Sequence, residues 1–124
     1  MPHKILIADD EPNILISLEF LMKREGYQVR VAHDGQEALD AIALDCPDLL
    51  LLDVMMPRKN GHEVCQEIRA RADWNGLRVL MLTAKGRDTD VAKGLALGAD
   101  DYMTKPFATR ELAQKVRELL ERSR

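Results

Sequence analysis

Asp9 and Asp10, Asp53, Thr83 and Lys105 each follow the end of a short apolar run, and together they make a set suited to phosphate chemistry. Three carboxylates offer hard oxygen ligands to a cation such as Mg²⁺, which characteristically takes one or two carboxylates and keeps water and phosphate in its other positions. A carboxylate can attack phosphorus to give an aspartyl phosphate. A lysine ammonium pairs with phosphate oxygens, and a threonine hydroxyl donates to one. Singly, each residue has an ordinary use: an acid capping the first helix, a turn acid after a strand, a surface lysine, a helix-capping threonine. The combination points to a shared pocket, because ligands of open parallel sheets bind outside the carboxyl ends of the strands, where residues distant in sequence meet.

The elements that must position this set are legible as alternating strands and helices. Residues 4–8, 48–52 and 78–82 are apolar on both faces, as strands covered by helices on each side require. Residues 27–32 alternate and suit a more exposed edge strand, and 101–104 form a short last strand. A first helix opens at Pro12, carries Ile14, Leu15, Leu18, Leu21 and Met22 at helical spacing, and stops at Gly26. Asp34 with Glu37 and Asn60 with Glu63 read as capping boxes for two helices that bury Ala38, Ala41 and Ile42, and Val64 and Ile68. A fourth helix over 88–97 has Val91, Leu95, alanines and an internal Gly94, so it is weakly anchored and the expected mobile element. A fifth starts near Thr109 and presents Leu112, Val116, Leu119 and Leu120. Five β-α alternations predict an α/β fold: a doubly wound, five-stranded parallel sheet of order 2-1-3-4-5 with five helices, a flavodoxin-like three-layer arrangement.

At 124 residues the chain reads as one domain spanning 1–124, large enough to bury a core without disulfides or a structural metal. Net charge is −3, with the basic residues dispersed among acids, which argues against direct contact with nucleic acid. Cys46 and Cys65 have no zinc-ligand or C-x-x-C spacing and read as reduced thiols. No apolar stretch approaches membrane-spanning length and no signal peptide fits before the first strand, so a cytoplasmic location is expected. His62 has no partner at metal spacing and reads as a solvated helix-face histidine; Trp74 reads as packing.

In order along the chain stand the acid pair in LIADDEP, Asp53 in LLLLDVMMP followed by Asn60-Gly61, Thr83-Ala84 after VLML, and GADDYMTKPF at 98–107. Carrying these, the sequence resembles a receiver domain of the two-component response-regulator family over essentially its whole length. The resemblance implies that Asp53 takes a phosphoryl group from a sensor histidine kinase or phosphotransfer protein. It implies further that Asp9, Asp10, Asp53 and the Met55 backbone carbonyl bind Mg²⁺, and that Lys105 and Thr83 contact the phosphoryl group. By the same resemblance the Lys105-Pro106 bond is cis, as a tertiary amide tolerates. The resemblance also implies that Thr83 would move toward the phosphoryl group and Tyr102 fill the vacated space, altering the face made by helix four, the last strand and helix five. The resemblance further implies that Met55 and Lys85 flank the path of hydrolytic water; an apolar screen and a long cation there should make the phosphoryl group comparatively long-lived.

An aspartate-nucleophile phosphatase is one rival, but that class carries a second acid two residues after the nucleophile, where this chain has Met55. A flavodoxin-like cofactor binder is another, but it would want a Gly/Ser/Thr-rich phosphate loop after the first strand, where Asp9-Asp10-Glu11-Pro12 would repel phosphate. The expected role is therefore a phosphorylation-switched signalling domain that acts only on its own aspartate. Asp100, Asp101, Glu111, Lys115 and Arg117 look like the set used for phosphorylation-promoted homodimerisation across helix four, the last strand and helix five, with Leu95 and Ala113 as an apolar patch. Val91 departs from the basic residue usual there.

Overall fold

In a computed structural model describing residues 2–84 and 86–122, the chain forms one five-stranded parallel sheet of order β2-β1-β3-β4-β5. The strands are β1 Lys4–Ala8, β2 Gln28–Ala32, β3 Leu49–Asp53, β4 Arg78–Ala84 and β5 Asp101–Lys105. Between and after them lie α1 Pro12–Arg24, α2 Gly35–Leu44, α3 Gly61–Arg69, a short 3-10 turn at Ala72–Trp74, α4 Asp88–Ala96 and α5 Thr109–Glu121. The predicted fold class and strand order hold. The change of strand direction of travel between β1 and β3 creates the crevice that a doubly wound sheet offers to ligands.

Alternation along the central strands divides the interior in two. Leu6 and Ala8, Leu50 and Leu52, Val79 and Met81 face α2 and α3 with Ile42, Val64, Ile68 and Trp74. Ile5 and Ile7, Leu49 and Leu51, Leu80 and Leu82 face α1 and α5 with Leu18, Met22, Leu112, Val116 and Leu119. Strands apolar at every position have both faces covered, which is why β3 is buried throughout.

Three strand ends run later than the sequence pattern implies, and each shift bears on the site. β3 starts at Leu49, just after Asp48, whose carboxylate accepts from the Lys4 backbone N–H at 2.7 Å, and it ends on Asp53 itself. β4 continues through Thr83 and Ala84 because β5 pairs beside it, Thr83 opposite Thr104 and Ala84 opposite Lys105. Thr83 and Lys105 are therefore ladder residues, with the rigidity that implies.

Helix ends follow local chemistry. Asn60 and Glu63 form the reciprocal capping box predicted for α3. At α2 only half of the predicted box forms: Asp34 accepts from the Glu37 N–H at 2.8 Å, while the Glu37 carboxylate turns to His33 Nδ1 at 2.9 Å. α1 is closed by Gly26 at φ +94°, a left-handed conformation that suits glycine. α4 buries only Gly94, in keeping with the thin apolar content of its sequence.

Candidate functional site

The strand register sets Asp9, Asp53 and Thr83 around one end of the sheet. Ala8 lies opposite Leu52, so Asp9 and Asp53 leave adjacent strands side by side; Asp53 lies opposite Leu82, and Thr83 follows. Asp9 is held firmly: its N–H donates to the Ala32 carbonyl at 3.1 Å, and its Oδ1 accepts from the Glu11 N–H at 2.9 Å. α3 begins close beside the strand end that carries Asp53. A Cβ at Gly61 would sit 2.5 Å from the Asp53 carbonyl oxygen, so only glycine fits where the helix returns past the acid.

Asp9, Asp53 and Thr83 are buried, while Asp10 reaches solvent. One ligand oxygen from each of Asp9, Asp10 and Asp53 lies within 4.8 Å of the others. Lys105 closes the set from β5. Its Nζ donates to Asp9 Oδ2 at 2.8 Å and lies 3.4 Å from Asp53 Oδ1 and 3.8 Å from Glu11 Oε1. The Lys105-Pro106 peptide is cis.

These charges perturb one another. Burial pushes the Asp53 carboxyl up to about 6, the Asp9 carboxylate adds to the rise, and Lys105 opposes it. Burial acts to lower the Lys105 ammonium, but its hydrogen bond to Asp9 and the charges of Asp53 and Asp9 outweigh that and raise it. The cluster carries more negative than positive charge and one ammonium already rests on it as countercharge. Hard carboxylate oxygens at this spacing, partly open to solvent through Asp10, fit a divalent cation that keeps some of its water.

Asp10, Glu11, Asp53, Val54, Met55, Thr83, Ala84, Arg87, Asp90 and Lys105 line a cavity of about 310 Å³ over the strand ends. Met55 stands at it with 59% of its surface exposed. Lys85, expected to flank the water path with Met55, lies outside the described residues. Tyr102 lies on the adjacent edge strand, 40% exposed. Sequence reasoning missed Arg87 and Asp90 as members of the cavity wall, since they lie in a loop and first helical turn that carry no motif of their own.

Other expectations need correction. His62 is not solvated: it is 6% exposed, and its Nε2 lies 2.9 Å from the Asp90 carbonyl, bridging α3 to α4 where Gly94 leaves room for the ring and Met81. Of the proposed output set, Asp100 is drawn inward, its Oδ2 accepting from Arg69 Nη2 at 3.0 Å and the Val79 N–H at 2.8 Å. Arg117 reaches Glu25 at the end of α1 at 3.3 Å. Ala113 is buried against the α1 side, so it adds nothing to an exposed patch; Leu95 is 42% exposed. Asp101 and Lys115 do pair on the β5-α5 face, at 2.9 Å. Trp74 is buried, with the Arg71 guanidinium 4.2 Å above its ring. Among the described residues no helix is long and apolar enough to cross a membrane.

The same architecture recurs in known proteins. A protein assigned as a response regulator from Chloroflexus aurantiacus J-10-fl superposes with a TM-score of 0.95 at 38% identity, covering 98% of this chain and 100% of that one. The signal receiver domain of a signal transduction histidine kinase from Syntrophus aciditrophicus gives 0.90 at 34% identity over 96% of this chain and 90% of its own. NtrX from Brucella abortus, in complex with ADP, gives 0.90 at 30% identity over 98% of this chain, which spans 27% of that longer protein. The family described as response regulator receiver domain matches residues 5–117, and with five parallel strands in the order 2-1-3-4-5 and an acidic cluster at their ends, the chain belongs to that family.

Proposed function

We propose that residues 1–124 are a single receiver domain that accepts a phosphoryl group on Asp53 from a histidine kinase or a histidine phosphotransfer protein, in a Mg²⁺-dependent reaction in the cytoplasm. The observation that carries this reading is the Lys105 ammonium set between Asp9, at 2.8 Å, and Asp53, at 3.4 Å, at the carboxyl ends of three strands.

The chemistry follows from what each side chain can do. An Asp53 carboxylate oxygen attacks phosphorus; the new O–P bond forms as the N–P bond to the donor imidazole breaks, and that electron pair leaves with the ring nitrogen. Asp9 and Asp10, with Asp53 and the Met55 backbone carbonyl, would hold Mg²⁺. That ion, when bound, offsets the charge on the phosphoryl oxygens and helps align them. Lys105 orients a phosphoryl oxygen as a point charge, and Thr83 donates its hydroxyl to another. Burial and the Asp9 carboxylate raise Asp53 in the metal-free site, and a cation held against the same carboxylate would favour its ionised, nucleophilic form.

Output follows from the same contacts. Thr83 moving toward the phosphoryl group frees space beside β4, and half-exposed Tyr102 on the neighbouring strand turns in to fill it. The face of α4, β5 and α5 thereby changes shape, and a symmetric dimer through it is the proposed readout. The domain turns over no substrate besides its own aspartate.

Incubation with acetyl phosphate and Mg²⁺, followed by intact-mass measurement, tests the assignment. One phosphoryl increment on the parent and none on Asp53→Asn is expected; an increment retained by Asp53→Asn and mapped to another acid would overturn it.

A further inference from the structure

Arg87 and Asp90 of the cavity wall have no part in the reading above. Arg87 and Lys105 are the cationic side chains among the described residues lining it, Arg87 from the α4 side and Lys105 from β5. Arg87 is the N-cap residue of α4 and makes no side-chain cap there. Its Nη2 instead lies 2.8 Å from Asp90 Oδ2, in the first turn of the helix. The contact is an ion pair of poor direction: Asp90 Oδ2 is buried and makes no hydrogen bond of acceptable geometry. The Arg87 side chain is 48% exposed, so the pair holds it weakly.

We propose that Arg87 is a second cationic ligand of the phosphoryl group on Asp53, leaving Asp90 for the phosphoryl oxygens when that group is added. The inference rests on Asp53 being the acceptor. Phosphorylation replaces one carboxylate charge by about −1.5 to −2 and adds three acceptor oxygens. Lys105 is already committed to Asp9 and cannot answer all of them. A guanidinium presents a planar fork that engages two oxygens at once, a geometry the single contact to Asp90 does not use. Asp90 is not left stranded, because a carboxylate in the first turn of a helix is favoured by the N-terminal backbone dipoles. The Asp90 carbonyl stays fixed to His62 Nε2 at 2.9 Å. Movement of Arg87 therefore acts on the start of α4, between the Ala84 carbonyl, which its N–H reaches at 3.3 Å, and the His62 contact. The weakly buried α4 is where so small a pull has an effect.

Beryllofluoride, which adds to a carboxylate as a tetrahedral mimic of the phosphoryl group, is the probe. Its apparent affinity at saturating Mg²⁺ is read by fluorine NMR in the parent, Arg87→Ala, Arg87→Lys and Asp90→Asn. Mg²⁺ affinity without beryllofluoride is read by calorimetry. Arg87→Ala should weaken beryllofluoride by about fivefold or more, Arg87→Lys by less, with Mg²⁺ affinity not weakened. Asp90→Asn, which removes the competing charge, should tighten beryllofluoride when residue 87 is arginine and not in Arg87→Ala. Parent-like beryllofluoride binding by Arg87→Ala overturns the inference. So does an equal loss of Mg²⁺ and beryllofluoride affinity, the mark of a structural role, or tightening by Asp90→Asn whatever stands at position 87. A parent protein that takes up no beryllofluoride with Mg²⁺ overturns the Asp53 reading and this inference with it.

Discussion

The Lys105 ammonium rests 2.8 Å from Asp9 Oδ2, joining the end of β5 to the end of β1 across 96 positions of sequence. Asp9 is fully buried, so this contact is its main cationic compensation among the described residues. Removing one partner of a buried pair leaves an uncompensated charge, which is costly. Lys105→Met should therefore lower stability in EDTA by about 2–3 kcal/mol in urea unfolding, and added Mg²⁺ should restore more stability to the mutant than to the parent. Equal stability of the two proteins in EDTA would refute the compensating role of the lysine.

Asp53 supplies the opposite case, an acid whose position suits function better than stability. Its carboxyl titrates at about 6 against an ordinary 3.8, so the fold favours its protonated form. That stabilising contribution is fully present below about pH 4 and is lost as pH rises through about 6. In EDTA at pH 7.5, Asp53→Asn should be more stable than the parent by roughly 2–3 kcal/mol, the equivalent of the shift, and the advantage should shrink toward zero at pH 4. Urea titrations at both pH values measure it, and a pH-independent difference would contradict the account.

How much of this was readable in advance depended on whether the signal was periodic or relational. The apolar runs of β1, β3 and β4 declared a sheet buried on both faces, and the acids, threonine and lysine at their ends declared a site, because both follow from local pattern. Strand ends shifted because Thr83 and Lys105 extend their strands only through pairing with each other's neighbours, a tertiary fact. His62 was misjudged for a like reason: nothing near it in sequence reveals that Gly94, 32 positions on, vacates the space its ring fills. Asp100 and Arg117 share their appearance with free surface charges, and only the fold shows that Arg69 and Glu25 take them.

Met55 lines the cavity with most of its surface exposed, and by the family resemblance it flanks the path that hydrolytic water would take to phosphorus. An apolar thioether there neither orders nor activates a water molecule. Met55→Asn gives water a hydrogen-bonding partner beside the phosphoryl group and should speed its loss several-fold. Release of inorganic phosphate from pre-phosphorylated protein measures the rate, with Mg²⁺ held constant. An unchanged or slower loss would show that Met55 does not screen the site.

Activation should also change assembly, through a face narrower than the sequence implied. With Asp100 and Ala113 drawn into the protomer and the exposed Arg117 turned to Glu25 of α1, the predicted set leaves Leu95, Glu111 and the half-buried Asp101–Lys115 pair at 2.9 Å for a partner, beside Tyr102. Exposed ion pairs contribute little each, so Leu95 must provide the apolar contact while the charges set register across a two-fold axis. An inward turn of Tyr102 on phosphorylation would clear its ring from the middle of that face. Sedimentation velocity should find monomer without beryllofluoride and a dimer with it, weakening as salt screens the charges. Lys115→Glu, which sets acid against Asp101, and Leu95→Asp should each return the activated protein to monomer while leaving beryllofluoride uptake intact. An activated parent that stays monomeric at high concentration and low salt would assign this face to a different partner.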